Sequence, residues 1–207
     1  MNMPETKLTL SQRKRLDIMS AARNEYLESG FRDTSMDRVA ERAQVSKRTV
    51  YNHFPSKEAL FKAIAGQFME ELRQAISVDY DPGKTLADQL TEIGKREAAQ
   101  VTQPDYIAMF RVFFAEVSNF KEAFSDILEE SKEIDDPLER WIKAAVADGR
   151  LEVKNFQLAA TQFNSLLKGA LFWPLIAGYG EPRPKREQNA VIAEAVAMFL
   201  ARYQSRS

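Results

Sequence analysis

The chain has 207 residues, 44% hydrophobic and 29% charged, with a net charge of −1, so it can bury one large core or two small ones and is not a disordered sequence. It contains no cysteine, which excludes disulfides, thiolate metal sites and cysteine nucleophiles and fits a reducing, cytoplasmic setting. Its first residues lack the apolar core of a signal peptide, and its most apolar run, 170–177, is too short to span a bilayer, so an intracellular protein with no membrane partner is expected.

Apolar residues recur mostly every three or four positions and glycine and proline are sparse, which points to an all-α fold. Thr9 to Gln12 has the Thr-x-x-Gln form of a capping box and opens a helix to about Ser29, with Gly30 suited to the left-handed position just past its end. Thr34 to Asp37 repeats the signature and starts a short helix to Arg42 or Ala43. Ser46 caps a third helix, which must end before Pro55 because a residue preceding proline avoids helical geometry. Ser56 caps a fourth that reaches about Ser77, with Glu58 in the first turn where the helix dipole favours an anion. Residues 77–85 form the clearest linker. Beyond it the spacing predicts helices near 85–101, 104–118, 120–148, 156–177 and 185–204, the third interrupted near Pro137 and stopped at Gly149.

Charge is unevenly spread. Residues 1–75 hold 13 Lys and Arg against 10 Asp and Glu, whereas residues 76–207 hold 16 against 20. A mildly basic head on an acidic body suggests that only the head meets a polyanion. Within that head, 46–57 carries three Lys and Arg, a tyrosine, an asparagine and the single histidine, with no acidic residue.

On composition alone such a run is an ordinary solvated face. Helical spacing divides it further. Val50 and Phe54 share a core side, while Lys47, Arg48, Tyr51 and Asn52 share an outward one, edged by Thr49 and His53. Arginine and lysine suit phosphates and guanine, asparagine suits adenine, and tyrosine packs on a thymine methyl or reaches a phosphate. A short helix carrying these after a tight turn has the form of a helix-turn-helix reader.

The ordered set Gly30-Phe31, Thr34-Ser35, Val39-Ala40, Val45-Ser46, Thr49-Val50-Tyr51, His53-Phe54 and Lys57-Glu58-Ala59-Leu60 resembles the DNA-binding domain of the TetR family of transcriptional regulators. The resemblance implies a three-helix reader over 9–55, joined through a fourth helix to a helical ligand-binding and dimerisation body over 56–207. It implies that Lys47, Arg48 and Tyr51 face the groove with Asn52 beside them. Ser46 starts the reading helix, and Thr34, Ser35, Thr49, His53 and Lys57 hold phosphates. The family usually has glycine before Val-Ser, and Gln44 stands there, so a slightly strained or reshaped turn is expected.

The body resembles the family less closely. Phe156, Ala159, Phe163, Leu166, Leu167, Ala170 and Trp173 recur helically, as do Val191, Ala195, Met198, Phe199 and Ala201. These last two helices suit a homodimer interface, or equally packing on their own subunit. Aromatic residues are abundant, Phe120 and Phe124 among them, and such a stripe is either core or ligand box. The family moves that choice towards a pocket for an apolar or aromatic effector, lined by Phe110, Phe113, Phe114, Trp141, Phe163, Leu167, Phe172 and Trp173. Arg111, Glu116, Gln162, Asn164 and Lys168 are close enough in sequence to add polar contacts.

The expected function is therefore a dimeric repressor that binds double-stranded operator DNA and is released by a small molecule, without cofactor or metal. Two other classes compete: a helical adaptor using the basic head, and an enzyme. A Ser-His-Asp triad would have to use His53, which sits in the middle of the reader. A di-metal site takes a Glu-x-x-His from each of two helices and one histidine cannot supply both, and the pairs Glu129-Glu130 and Asp135-Asp136 look solvated. No catalytic residue is expected.

Overall fold

The structure is a computed structural model that describes residues 9–116 and 136–205 and contains ten helices among them. In chain order they are α1 Leu10–Asp33, α2 Met36–Arg42, α3 Lys47–His53, α4 Lys57–Ile76 and α5 Leu86–Val101. Then follow α6 Pro104–Glu116, α7 Pro137–Ala147, α8 Phe156–Leu171, α9 Trp173–Ile176 and α10 Lys185–Tyr203. The described residues contain no strand, only one isolated antiparallel bridge between Leu151 and Gln204. The expected helix over 120–135, with Phe120, Phe124, Glu129, Glu130 and Asp135, lies outside the described residues.

Side-chain caps set most helix starts. Thr9 and Gln12 form the reciprocal capping box on α1. Ser46 caps α3, Thr85 caps α5, Asp136 caps α7 and Asn155 caps α8, each accepting from the backbone N–H three residues on. Ser56 does the same for α4 through Ala59 N. The second helix starts one residue later than the sequence signature suggests. Ser35, not Thr34, is its cap and accepts from Arg38 N at 3.2 Å. Thr34 is turned inward, 3% exposed, and its hydroxyl donates to Gly30 O at 2.8 Å.

Gly30 has φ 75° and ψ 169°, a backbone region that only glycine enters at low cost and well beyond the left-handed helical basin expected for it. The chain breaks there and resumes one turn, to Asp33. The expected single helix over 156–177 is also broken. Pro174 has no N–H to give Ala170 O, and the guanidinium of Arg183 donates to that carbonyl instead at 3.1 Å.

The chain divides into two compact units, Met1–Phe68 with Arg111–Ile127, and Met69–Phe110 with Leu128–Ser207. In the first, Tyr26, Phe31 and Phe61 pack edge to face or tilted at 4.8–5.8 Å between centroids. Phe113 joins them, 5.2 Å from both Phe61 and Phe68. A buried Glu25 on α1 ties down α2 through Arg38 and Arg42, each at 2.8 Å, so the charge is paired twice where water is excluded.

In the second unit, α5, α7, α8 and α10 bury one continuous core around Leu90, Trp141, Ile142, Phe163, Leu167 and Phe199. Gln89 organises the linker beside it, accepting from Asp81 N and from the Trp141 indole N–H and donating to Asp81 O. Arg150 adds bonds to Pro82 O and Lys84 O.

Candidate nucleic-acid interface

The turn from α2 to α3 is a Schellman closure. Gln44 N donates to Glu41 O and Val45 N to Ala40 O, both at 3.0 Å. Gln44 holds φ 54°, the one positive φ at a non-glycine among the described residues. The expected strain is there; the turn itself is not reshaped. Gly149 makes the same closure after α7, donating to Val146 O while Arg150 N donates to Ala145 O.

Burial then fixes the rotation of α3. Val50 is fully buried and Phe54 is 2% exposed, and burying each contributes about 1.5–3 kcal/mol. Arg15 of α1 stacks its guanidinium 4.9 Å from the centre of the Phe54 ring. With that side held, Lys47, Arg48, Tyr51 and Asn52 are all exposed on the other. Ser35 and Ser46 are exposed at the starts of α2 and α3, and Thr49 and His53 are half-buried along the edge. Ser46 Oγ accepts from Thr49 N at 3.1 Å and lies 2.8 Å from its hydroxyl, closing the N-terminus of the helix.

Two expected phosphate contacts are placed otherwise. Thr34 is buried, as described above. Lys57 points its ammonium back at the segment after Gly30 and donates to Phe31 O, Arg32 O and Thr34 O at 2.9–3.0 Å, with the Phe31 ring 4.4 Å away. An ammonium has three N–H donors, and all three are used. One partner was missed by sequence reasoning. Asp37 of α2 holds Lys47 at 2.8 Å and its hydrogen bond pushes the lysine pKa up. The pair is ten residues apart across a turn, and no local pattern marks it.

The expected pocket residues do not converge on one place. Phe113 belongs to the first unit, with Phe61 and Phe68. Trp141, Phe163 and Leu167 are sealed in the core of the second unit, at most 1% exposed, and Phe114 is 55% exposed. Phe110, Phe172 and Trp173 do come together, at 4.8–6.0 Å, with Tyr106 stacked on Phe110. Of the expected polar groups, Glu116 pairs with Arg32 at 3.2 Å in the first unit, and Lys168 pairs with Glu97 in the second. Among the described residues no cluster of three or more His, Asp or Glu could hold a metal ion, and no helix is long and apolar enough to cross a membrane.

Comparison with known proteins gives two family matches. Residues 18–64 match bacterial regulatory proteins of the tetR family, and residues 88–205 match the AefR-like transcriptional repressor C-terminal domain. The crystal structure of a TetR family transcriptional regulator from Pseudomonas syringae pv. tomato str. DC3000 is 36% identical, with a TM-score of 0.76 over 95% of this chain and 100% of that one. The flavonoid-responsive regulator FrrA is 28% identical, with a TM-score of 0.78 over 94% and 99%. The transcriptional regulator UidR of Escherichia coli K12 is 40% identical over 68 residues, 33% of this chain, so the match spans about a third (35%) of that curated relative's length.

Proposed function

From the premise that this chain belongs to the TetR family of transcriptional regulators, DNA-binding proteins rather than enzymes, we propose that it is a homodimeric repressor released from its operator by a small aromatic molecule. The observation that carries the reading is the rotation of α3. Val50 and Phe54 are locked inward and Lys47, Arg48, Tyr51 and Asn52 stand outward behind a Schellman turn. In the major groove, Arg48 and Asn52 would read base edges. Ser35, Ser46, Thr49 and His53 would take the flanking phosphates, with Lys47 shared between groove and backbone. The reader comprises residues 9–55, and residues 56–207 serve dimerisation and effector binding.

Support for a dimer comes from the outer faces of α8 and α10. Leu158, Leu166 and Met198 are 50%, 38% and 56% exposed, and a groove of about 450 Å³ runs between the helices beside Thr161, Ser165 and Arg202. Apolar side chains left together on a surface mark an interaction site. Two copies joined there about a twofold axis would present two α3 helices to two half-sites. An effector favouring a body conformation in which the two heads no longer match that spacing lowers DNA affinity by its own difference in affinity between the two states. The likeness to a flavonoid-responsive regulator supports an aromatic effector class. Electrophoretic mobility shift with DNA upstream of its own gene tests the reading. A sequence-specific shift that unlabelled operator competes away is the expected result, and only non-specific binding would refute it.

A further inference from the structure

The second unit contains a buried carboxylate that its packing does not explain. Glu97 on α5 is 1% exposed. Lys168 Nζ stands 3.3 Å from Oε1, yet among the described residues neither carboxylate oxygen receives an aligned hydrogen bond. Leaving such a group unsatisfied is destabilising, the more so when it is charged. A purely structural position would be better filled by an apolar residue of similar volume.

Its surroundings have a direction. Asn164 and Lys168 are four apart and share one stripe of α8, and Phe172 is the residue that ends the helix. The side-chain oxygen of Asn164 is buried and, like the Glu97 oxygens, has no hydrogen-bond partner among the described residues. Tyr106 on α6 lies within the electrostatic reach of Glu97, whose charge, added to burial, pushes the phenol pKa up. Tyr106 also packs on Phe110 and Phe172, which meet Trp173. One end of the arrangement therefore holds two acceptors lacking donors, beside a cation. The other end is a cluster of aromatic rings. A molecule that fits both is flat and apolar with a hydroxyl at one tip.

We infer that Glu97, positioned by Lys168 and assisted by Asn164, is the hydrogen-bond acceptor that selects a hydroxylated aromatic effector, whose ring system stacks among Tyr106, Phe110, Phe172 and Trp173. This rests on the effector reading of the body given above. Lys168 forms an ion pair on the Oε1 side, Oε2 is open to a ligand hydroxyl, and an O–H donating to an ionised carboxylate is among the stronger hydrogen bonds. Burial raises the Glu97 pKa, Lys168 opposes that shift and Asp136 at the start of α7 adds to it. The acceptor thus works best ionised, above the range of an ordinary carboxylate.

The test uses the 207-residue chain and a matched pair of probes, 4-phenylphenol and biphenyl, followed by tryptophan fluorescence, since Trp173 stands in the ring cluster and Trp141 in the core. Wild type is expected to bind 4-phenylphenol at least tenfold more tightly than biphenyl. Glu97→Met is expected to abolish that preference, and Glu97→Gln, which keeps a neutral acceptor, to fall between. Equal affinity of wild type for the two probes, no binding of either, or a preference surviving in Glu97→Met would each overturn the assignment. A mobility-shift arm separates this from the function above. DNA released by 4-phenylphenol equally from wild type and Glu97→Met keeps effector control and removes Glu97 from it. Glu97-dependent binding that leaves DNA affinity untouched keeps the site and removes effector control.

Discussion

Gln44 and Lys57 show how single side chains hold the head in shape. A left-handed backbone costs an L-residue about 1–2 kcal/mol relative to glycine, and Gln44 bears that cost at φ 54°. Gln44→Gly should therefore raise stability by about 1 kcal/mol, less a few tenths for the greater freedom of the unfolded chain, whereas Gln44→Val should lower it. The urea midpoint checks both. That position was legible because the departure from the family pattern falls on one residue of the turn. The task of Lys57 was not legible. The carbonyls it meets belong to residues 23 to 26 positions earlier, just after the break at Gly30, and that meeting is a fact of tertiary structure. Lys57→Met should cost about 2 kcal/mol of stability through three lost charge-assisted bonds. It should leave the salt dependence of DNA binding unchanged. Lys47→Ala should instead reduce the slope of log affinity against log salt by about 0.9 for the one phosphate that Lys47 is proposed to neutralise. Titrating DNA affinity from low to high salt separates the two roles.

At the level of helices, local chemistry accounts for what could be foreseen. Thr9, Ser46 and Ser56 each cap the helix the sequence assigns them, because an N-cap needs only a hydroxyl and an N–H three residues away. Thr34 failed as a cap since Ser35, its neighbour, offers the same hydroxyl and burial took Thr34 for Gly30. The break at Pro174 was masked by the apolar run around it and depended on Arg183 arriving from another segment. Helical periodicity also could not divide the aromatic residues. Trp141 and Phe172 look alike in sequence, yet one is sealed in the core by a bond to Gln89 and the other joins a ring cluster. For the outer faces of α8 and α10, Leu166→Glu or Met198→Glu should yield monomers in sedimentation at concentrations where wild type is dimeric. An unchanged dimer in both would move the interface elsewhere.

For the molecule as a whole, Glu97 sets a pH signature that can be read without any ligand. Its pKa in the folded protein is raised, chiefly by burial. The folded state therefore binds the proton more tightly than the unfolded chain, where a glutamate titrates near about 4.3. Stability is greatest below that value and is lost as pH rises through the folded pKa. Glu97→Gln removes the titration, so the variant should be the more stable at neutral pH. The difference should shrink towards pH 4. Denaturation midpoints over that range would show it, and a constant difference would mean that the carboxylate is ionised throughout.

One close contact gives this more than local meaning. On α5, Gly94 lies one turn before Glu97, and a Cβ built on it would stand 2.9 Å from Ile192 Cγ2 of α10. The two helices are seated backbone to side chain with no slack. The inward face of α10 thus rests on the helix that carries the buried carboxylate, while its outward face is the one proposed to meet a second subunit. On that proposal, binding at the carboxylate and self-association through α10 would share a free energy, and such sharing is reciprocal. A phenol that tightens or loosens the dimer must itself bind more or less tightly as protein concentration carries the chain from monomer to dimer.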